Sequence, residues 1–227
     1  MPRITDHCSD VLGPIVLASS SPRRHELLAR LGLPFEIAVS GVDEEASPDL
    51  PPDALVIELA DQKARAVAAG RAAGLVVGAD TTVVLDGAVL GKPADPTDAV
   101  RMLGLLRDRV HRVYTGVAVV DVATGRIERG LVGCDVRMRA YGDDEIATYV
   151  ATGEPLDKAG AYGIQGRGGS LVVGVDGCFN NVVGLPLCEL ATLLGRFGVA
   201  MDAPDPICRL PTGQPCPRLI VWAMART

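Results

Sequence analysis

The sequence predicts an α/β protein built on a mixed, twisted β-sheet, and three observations point there. Helical apolar patterns alternate with short apolar runs along the chain. Some neighbouring runs are separated only by turn signals, Asp86-Gly87 and Ala123-Thr124-Gly125, which makes those strands antiparallel partners. The composition, 48% apolar and 22% charged over 227 residues, is that of a globular chain long enough for one large domain or two lobes sharing a cleft.

The elements follow in order. Residues 15–18 are an apolar strand feeding Ser19-Ser20-Ser21-Pro22-Arg23-Arg24, which opens a helix carrying Leu27, Leu28 and Leu31 and closed by Gly32. Ser21 can cap that helix, and Pro22 suits its first turn, where a missing N–H costs nothing. Residues 51–74 read as a second helix with Leu55, Leu59 and Val67 on its apolar row and Asp61 and Arg65 paired on the solvent side. Residues 75–79 are a buried-strand run ending at Asp80, and residues 81–85 and 88–90 flank the Asp86-Gly87 hairpin. A helix is expected over 96–106, an antiparallel pair over 113–122 and 127–138, and a short helix with an acidic start over 142–151. Residues 160–184 are glycine-rich with short β runs, and a helix over 185–197 closes a domain spanning 1–201. Five prolines from Pro204 to Pro217 mark residues 202–227 as an extended tail.

Composition excludes several classes of function. No run of about 18 apolar residues exists, and the first residues lack a signal-peptide core, so no membrane role is expected and the compartment is cytoplasmic. The six cysteines stand far apart without zinc spacing and read as reduced thiols. A net charge of −6 argues against a nucleic-acid polymer as partner, so a polyanionic ligand needs a local basic pocket.

Four stretches carry usable chemistry. The backbone N–H groups at the start of the serine loop, with Arg23 and Arg24 beside them, form a phosphate site or else a capped helix with solvated arginines. Asp80 can hold a metal or activate water at a cleft edge, or merely cap a turn. Lys63 falls on an apolar helix row, so its ammonium either snorkels past the core or points into a pocket. Lys92 in Gly91-Lys92-Pro93 is not a phosphate-loop lysine, because the spacing from Gly87 is one residue short and Pro93 replaces the metal-binding hydroxyl. Over residues 153–166 closely spaced glycines let backbone approach a ligand, and Gln165 can read a base edge or sit on a plain surface loop. Glu44 and Glu45 form a solvated turn or supply a second metal ligand. The three histidines pair with no nucleophile, and Gly166-Arg167-Gly168-Gly169 lacks the third spaced glycine of a dinucleotide loop.

Taken jointly, Leu17-Ala18-Ser19-Ser20-Ser21-Pro22-Arg23-Arg24, Gly78-Ala79-Asp80-Thr81, Gly91-Lys92-Pro93, the stretch from Asp157-Lys158-Ala159-Gly160 to Gln165-Gly166, and Val183-Gly184-Leu185-Pro186 resemble the Maf family, in family order over about residues 15–199. The resemblance implies a mixed-sheet fold related to the inosine triphosphate pyrophosphatases, two lobes flanking a nucleotide cleft, and a homodimer. It implies hydrolysis of a nucleoside triphosphate to the monophosphate and pyrophosphate with a divalent metal cation, Mg²⁺ or Mn²⁺. By matching motif, Asp80 is the expected general base and metal-side carboxylate, Glu44 its acidic partner, and Lys63 and Lys92 face the phosphates. Arg23, Thr81 and Gln165 stand where the family sets base choice, and Ser20 and Arg24 where it binds substrate; together they resemble the dTTP and UTP branch. Cys178-Phe179-Asn180-Asn181 departs from the family's more aromatic segment, and the proline-rich tail has no counterpart. A nucleotide-binding regulator of cell division without turnover is the rival reading, and a phosphotransferase is disfavoured by the missing phosphate loop.

Overall fold

The computed structural model describes residues 13–42 and 49–201. Among these described residues seven strands form one mixed sheet: β1 (Ile15–Ala18), β2 (Phe35–Ala38), β3 (Leu75–Leu85), β4 (Ala88–Leu90), β5 (Val110–Asp121), β6 (Ile127–Met138) and β7 (Val172–Asp176). The order is β2-β1-β3-β5-β6-β7, with β4 paired to β3 off that path. Helices α1 (Pro22–Ala29), α2 (Pro52–Ala68), α3 (Pro96–Leu106), α4 (Asp143–Val150), α5 (Phe179–Val183) and α6 (Leu187–Arg196) pack around it. Strands β1, β2 and β3 run parallel, and the other pairings are antiparallel. The Glu44-Glu45 run and the proline-rich tail lie outside the described residues.

The alternation along β3 and β5 organises the core. On one face stand Leu75, Val77, Ala79, Thr81, Val83 and Leu85, opposite Val119, Val117, Thr115 and Val113 of β5. The first three of β3, with Val117 and Val119, belong to an apolar cluster closed by α1 and α6. Val83, Leu85 and Val113 belong to a second cluster closed by α3 and α4. Thr81 and Thr115, cross-strand partners, are the polar step between the two. The expected two lobes are thus two cores on one sheet face, with long strands running through both.

The other face carries α2. Val76, Ala118 and Val120 meet Ala60, Ala64 and Val67 there. The helix lies unusually close: a Cβ at Gly78 would collide with the Ala60 carbonyl, and one at Gly116 with the Val56 carbonyl. Only glycine at both sites lets the α2 backbone rest on β3 and β5.

Several elements differ from the sequence reading. Asp80 does not end a strand; β3 runs unbroken through it because β5 pairs along its whole length. Helix α2 stops at Ala68 rather than reaching residue 74, since residues 70–74 turn back to enter β3 and Gly74 adopts φ 123°. Asp61 is buried rather than solvated, because Arg129 of β6 reaches over to it at 2.6 Å while Arg65 holds its other oxygen at 3.0 Å. Strand β2 and helix α5 were not anticipated. The glycine-rich stretch forms 3-10 turns at Glu154–Asp157, Ala159–Ala161 and Arg167–Leu171 and a single strand, β7.

Two glycine substitutions should act with opposite sign in thermal denaturation. Gly116→Ala forces α2 off the sheet and should destabilise by about 1–3 kcal/mol, as overpacking does. Gly104→Ala, on an exposed position of α3 where an added Cβ would meet only the end of Arg107 at 4.0 Å, should stabilise by roughly 0.5–1 kcal/mol.

Candidate active site

A cleft of about 460 Å³ opens where the edge of β3 lacks a neighbour. Strand β1 pairs with β3 only as far as Val77, and β4 joins the same edge only from Val83. Residues 78–82 therefore have β5 on one side and open space on the other. The chain leaving β1 turns through the serine loop into α1 at one rim of the gap, and the chain leaving β4 carries Lys92 along the other.

The structure brings together every described residue that the sequence singled out. Lys63, Asp80, Lys92, Ser20, Arg23, Arg24, Thr81 and Gln165 all line this cleft. Glu44 lies outside the described residues. Among the described lining residues, five cationic side chains, with Lys158 the fifth, face two carboxylates, Asp80 and Asp157. The cleft is thus a positive site on a chain of net charge −6.

At its floor Lys63 Nζ donates to Asp80 Oδ1 at 2.6 Å, with the two residues 5% and 8% exposed. The apolar row that carries Lys63 does not send its ammonium to solvent; the close approach of α2 over Gly78 aims it across the sheet face at Asp80. Asp80 Oδ2 accepts no hydrogen bond from a described residue, so one carboxylate oxygen is held and the other is left for a ligand. Among the described residues no group of three His, Cys, Asp or Glu side chains gathers here, so Asp80 alone could offer a carboxylate oxygen to a hard cation such as Mg²⁺.

The serine loop is held from three sides. Ser19, which the sequence reading passed over in favour of Ser20, is buried; its hydroxyl accepts from Ser21 N–H at 3.2 Å and from Arg24 Nη1 at 3.5 Å. Its carbonyl bonds the His25 ring nitrogen at 2.8 Å. The Ser-x-Ser spacing at a strand end, a local turn former, was the available signal. Ser21 occupies the N-cap position of α1 but makes no side-chain cap bond. Ser20 remains exposed in the cleft.

Arg24 is a strut: Nε donates to Gly184 O at 2.8 Å and Nη2 to Thr81 Oγ1 at 3.1 Å. Thr81 Oγ1 lies 2.9 Å from Thr115 Oγ1, and Thr115 donates to Asn181 O at 2.9 Å. The direction of this chain follows from proton counting. A carbonyl has no proton, so the single proton of the fully buried Thr115 goes to Asn181 O, and that of Thr81 goes to Thr115. The reverse order forfeits a buried hydrogen bond of about 1 kcal/mol and faces two acceptor oxygens across a closed site.

On the opposite rim, Glu154 holds the loop that bears Gln165. Its carboxylate accepts from the Tyr149 hydroxyl at 2.9 Å, Arg167 N–H at 3.1 Å and Gly168 N–H at 3.3 Å, and Tyr149 in turn accepts Gly163 N–H at 3.0 Å. Partial burial pushes the Glu154 carboxyl up, but these donors outweigh it and hold the group below the ordinary glutamate range. Three glycines of the stretch answer to this clamp: a Cβ at Gly163 would strike Lys158, one at Gly166 would strike Glu154, and one at Gly168 would strike the Tyr149 hydroxyl. Across the mouth Arg23 reaches Asp157 at 3.3 Å, and Asp157 also pairs with Lys158 at 2.5 Å. Gly160 N–H donates to Gly91 O at 3.0 Å, tying this rim to the Lys92 segment.

Behind the wall, Tyr162 shares a 2.8 Å hydrogen bond with His111, which is 2% exposed. Burial lowers the His111 ring to about 4.

Fold and site together define a mixed α/β protein whose interrupted sheet edge forms a cationic cleft over a buried lysine–aspartate pair. The family profile for Maf-like protein matches residues 14–197, and the chain belongs to that family. A protein of Moorella thermoacetica named dTTP/UTP pyrophosphatase is 57% identical over 188 residues, 83% of this chain and 97% of that one. Proteins of the same name from Pelotomaculum thermopropionicum and Dictyoglomus turgidum are 52% and 47% identical, over 81% and 82% of this chain and 96% and 97% of theirs. No described helix is long and apolar enough to cross a membrane.

Two consequences are measurable. Glu154→Gln should lower stability by about 1–2 kcal/mol and open the segment around Gln165 to limited proteolysis, since a charged acceptor of three bonds is lost. His111 is neutral in the fold and titrates near 6.5 when unfolded, so its contribution is whole above about 6.5 and declines as pH falls toward 4. The difference is about 3 kcal/mol, and His111→Gln should flatten that part of the stability–pH curve relative to wild type.

Proposed function

We propose that this chain is a nucleoside triphosphate pyrophosphatase that cleaves the α–β phosphoanhydride of dTTP or UTP, with CTP or modified pyrimidine nucleotides as further substrates, releasing the monophosphate and pyrophosphate. The observation that carries the chemistry is the buried Lys63–Asp80 pair at the floor of a cleft rimmed by cations. The names of the relatives support the choice of nucleotide.

A triphosphate is highly anionic, and Lys92, Lys63 and Arg24 offer compensating charge along the cleft, so positioning and charge stabilisation contribute most of the acceleration. Lys63 holds one oxygen of Asp80 in place and so fixes the carboxylate that would take a proton from the attacking water. Proton abstraction by a carboxylate so placed contributes about 10²- to 10⁴-fold. A divalent cation, Mg²⁺ or Mn²⁺, held by Asp80 would neutralise phosphate charge when bound. Arg23, Thr81 and Gln165 are the side chains we assign to base choice, and Ser20 with the loop it sits in to substrate binding. Family resemblance supports action as a cytoplasmic homodimer, which light scattering checks.

The test is pyrophosphate release from dTTP, UTP, CTP, ATP, GTP and 7-methyl-GTP, with Mg²⁺ or Mn²⁺ and with EDTA. Metal-dependent release favouring dTTP and UTP is expected. Release from none of them would overturn the reading and leave a nucleotide-binding regulator. Asp80→Asn should lower turnover by at least 10²-fold while nucleotide binding survives; a mutant that turns over normally would remove Asp80 from its role.

A further inference from the structure

We propose that Thr115, a fully buried residue out of reach of any ligand, sets the base preference of the cleft by drawing the only proton of Thr81 inward, so that Thr81 meets the nucleotide as an acceptor and selects the imide N3–H of uracil or thymine. The inference rests on the reading of the cleft as a pyrimidine nucleotide site and deepens it by naming the chemistry that separates uracil and thymine from cytosine.

Thr81 is half-buried and lines the cleft beside Asp80, but its side chain leaves the opposite face of β3. Its oxygen accepts Arg24 Nη2–H at 3.1 Å, and its proton goes to Thr115 at 2.9 Å, because Thr115 has already given its own to Asn181 O at 2.9 Å. A hydroxyl has one proton and two lone pairs. One lone pair is left, so whatever faces Thr81 must be a donor. Gly184, at φ 121°, stands beside this oxygen: a Cβ there would lie 3.5 Å from Thr81 Oγ1 and from Arg24 Nε.

This requirement eliminates most of the ligand. Ionised phosphate oxygens only accept, and so do the pyrimidine O2 and O4. The donors of dTTP and UTP are the imide N3–H and the sugar hydroxyls. Cytosine presents a bare N3 lone pair at the imide position and carries its donor on the neighbouring 4-amino group instead, so a Thr81 oxygen placed against N3 opposes it lone pair to lone pair. We commit to the base over the sugar because UTP and CTP share one sugar and differ only in the base, so a sugar contact would treat them alike.

Thr115 is thus a positioning residue. Its position between two apolar clusters would suit valine as well, and the hydroxyl there is what orients the chain of bonds. Thr115→Val removes the acceptor for the Thr81 proton, leaving that proton free to turn toward the cleft and meet cytosine N3.

The experiment measures kcat and KM for UTP and CTP in wild type, Thr115→Val, Thr115→Ser and Thr81→Val. In Thr115→Val the UTP-to-CTP ratio of kcat/KM should fall about tenfold, mainly through a lower KM for CTP, and Thr115→Ser should restore it. An unchanged ratio in Thr115→Val, alongside an altered one in Thr81→Val, would overturn the proposal and spare the site reading. An unchanged ratio in both would remove Thr81 from base choice as well. The wild-type enzyme supplies an arm independent of variant folding: 3-methyl-UTP, which lacks the imide donor, should raise KM at least tenfold over UTP with kcat little changed. The 3′-deoxy analogue should behave like UTP. Equal use of 3-methyl-UTP and UTP, or a loss confined to the 3′-deoxy analogue, would overturn the assignment to the base.

Discussion

The ion pair between Lys63 and Asp80 is the interaction to which the rest of the molecule is fitted. Two charges at 2.6 Å and almost out of solvent gain from each other about what desolvation costs them, so an apolar pair would serve stability equally well. The pairing depends on distances that only the backbone can set. Helix α2 must lie nearly in contact with β3 and β5, and Gly78 and Gly116 permit that approach. Once α2 is seated, the lysine on its apolar row has Asp80 as its partner.

The same strand supplies the opening. β3 extends past the end of β1 and is joined on that edge by β4 only after an interval, so the sheet is continuous on one side and gapped on the other. The gap falls at the level where one face of the sheet changes from one apolar cluster to the next. Thr81 and Thr115 occupy that seam, and Arg24 ties it to α1 and to Gly184. The two faces of β3 therefore serve different partners: Asp80 leaves one face toward α2 and Lys63, and Thr81 leaves the other toward the strut of Arg24.

The loop with Gln165 shows how a residue pattern can have two causes. Its glycines read as room for a ligand, yet Gly163, Gly166 and Gly168 are the places where Lys158, the Glu154 carboxylate and the Tyr149 hydroxyl press against the backbone. The clamp holds this rim from its own side, and Ile164 beside Gln165 packs against both apolar clusters. Arg23 and Asp157 bridge the two sides at the mouth, where both are solvated and the bond between them is weak.

What the sequence determined by itself was whatever neighbouring residues decide. The 3.6-residue periodicity and end signals placed α1, α3, α4 and α6, and the turn at Asp86-Gly87, with both residues at positive φ, placed the β3–β4 hairpin. The motifs also picked out side chains that line one cleft, because a charged residue on an apolar row or a carboxylate in an apolar run is anomalous wherever it is met. Tertiary structure decided the rest. Strand β2 has two exposed positions in four and shows no clear pattern until β1 pairs with it, and α5 is five residues long and exists through its packing. Asp80 moved from the end of a strand to its middle because β5, more than thirty residues on, continues the ladder past it. Asp61 became buried because Arg129 arrives from β6. Thr115 and Glu154 carry no local sign of their task, since a hydroxyl or carboxylate acquires its direction from partners that only the folded chain brings within reach.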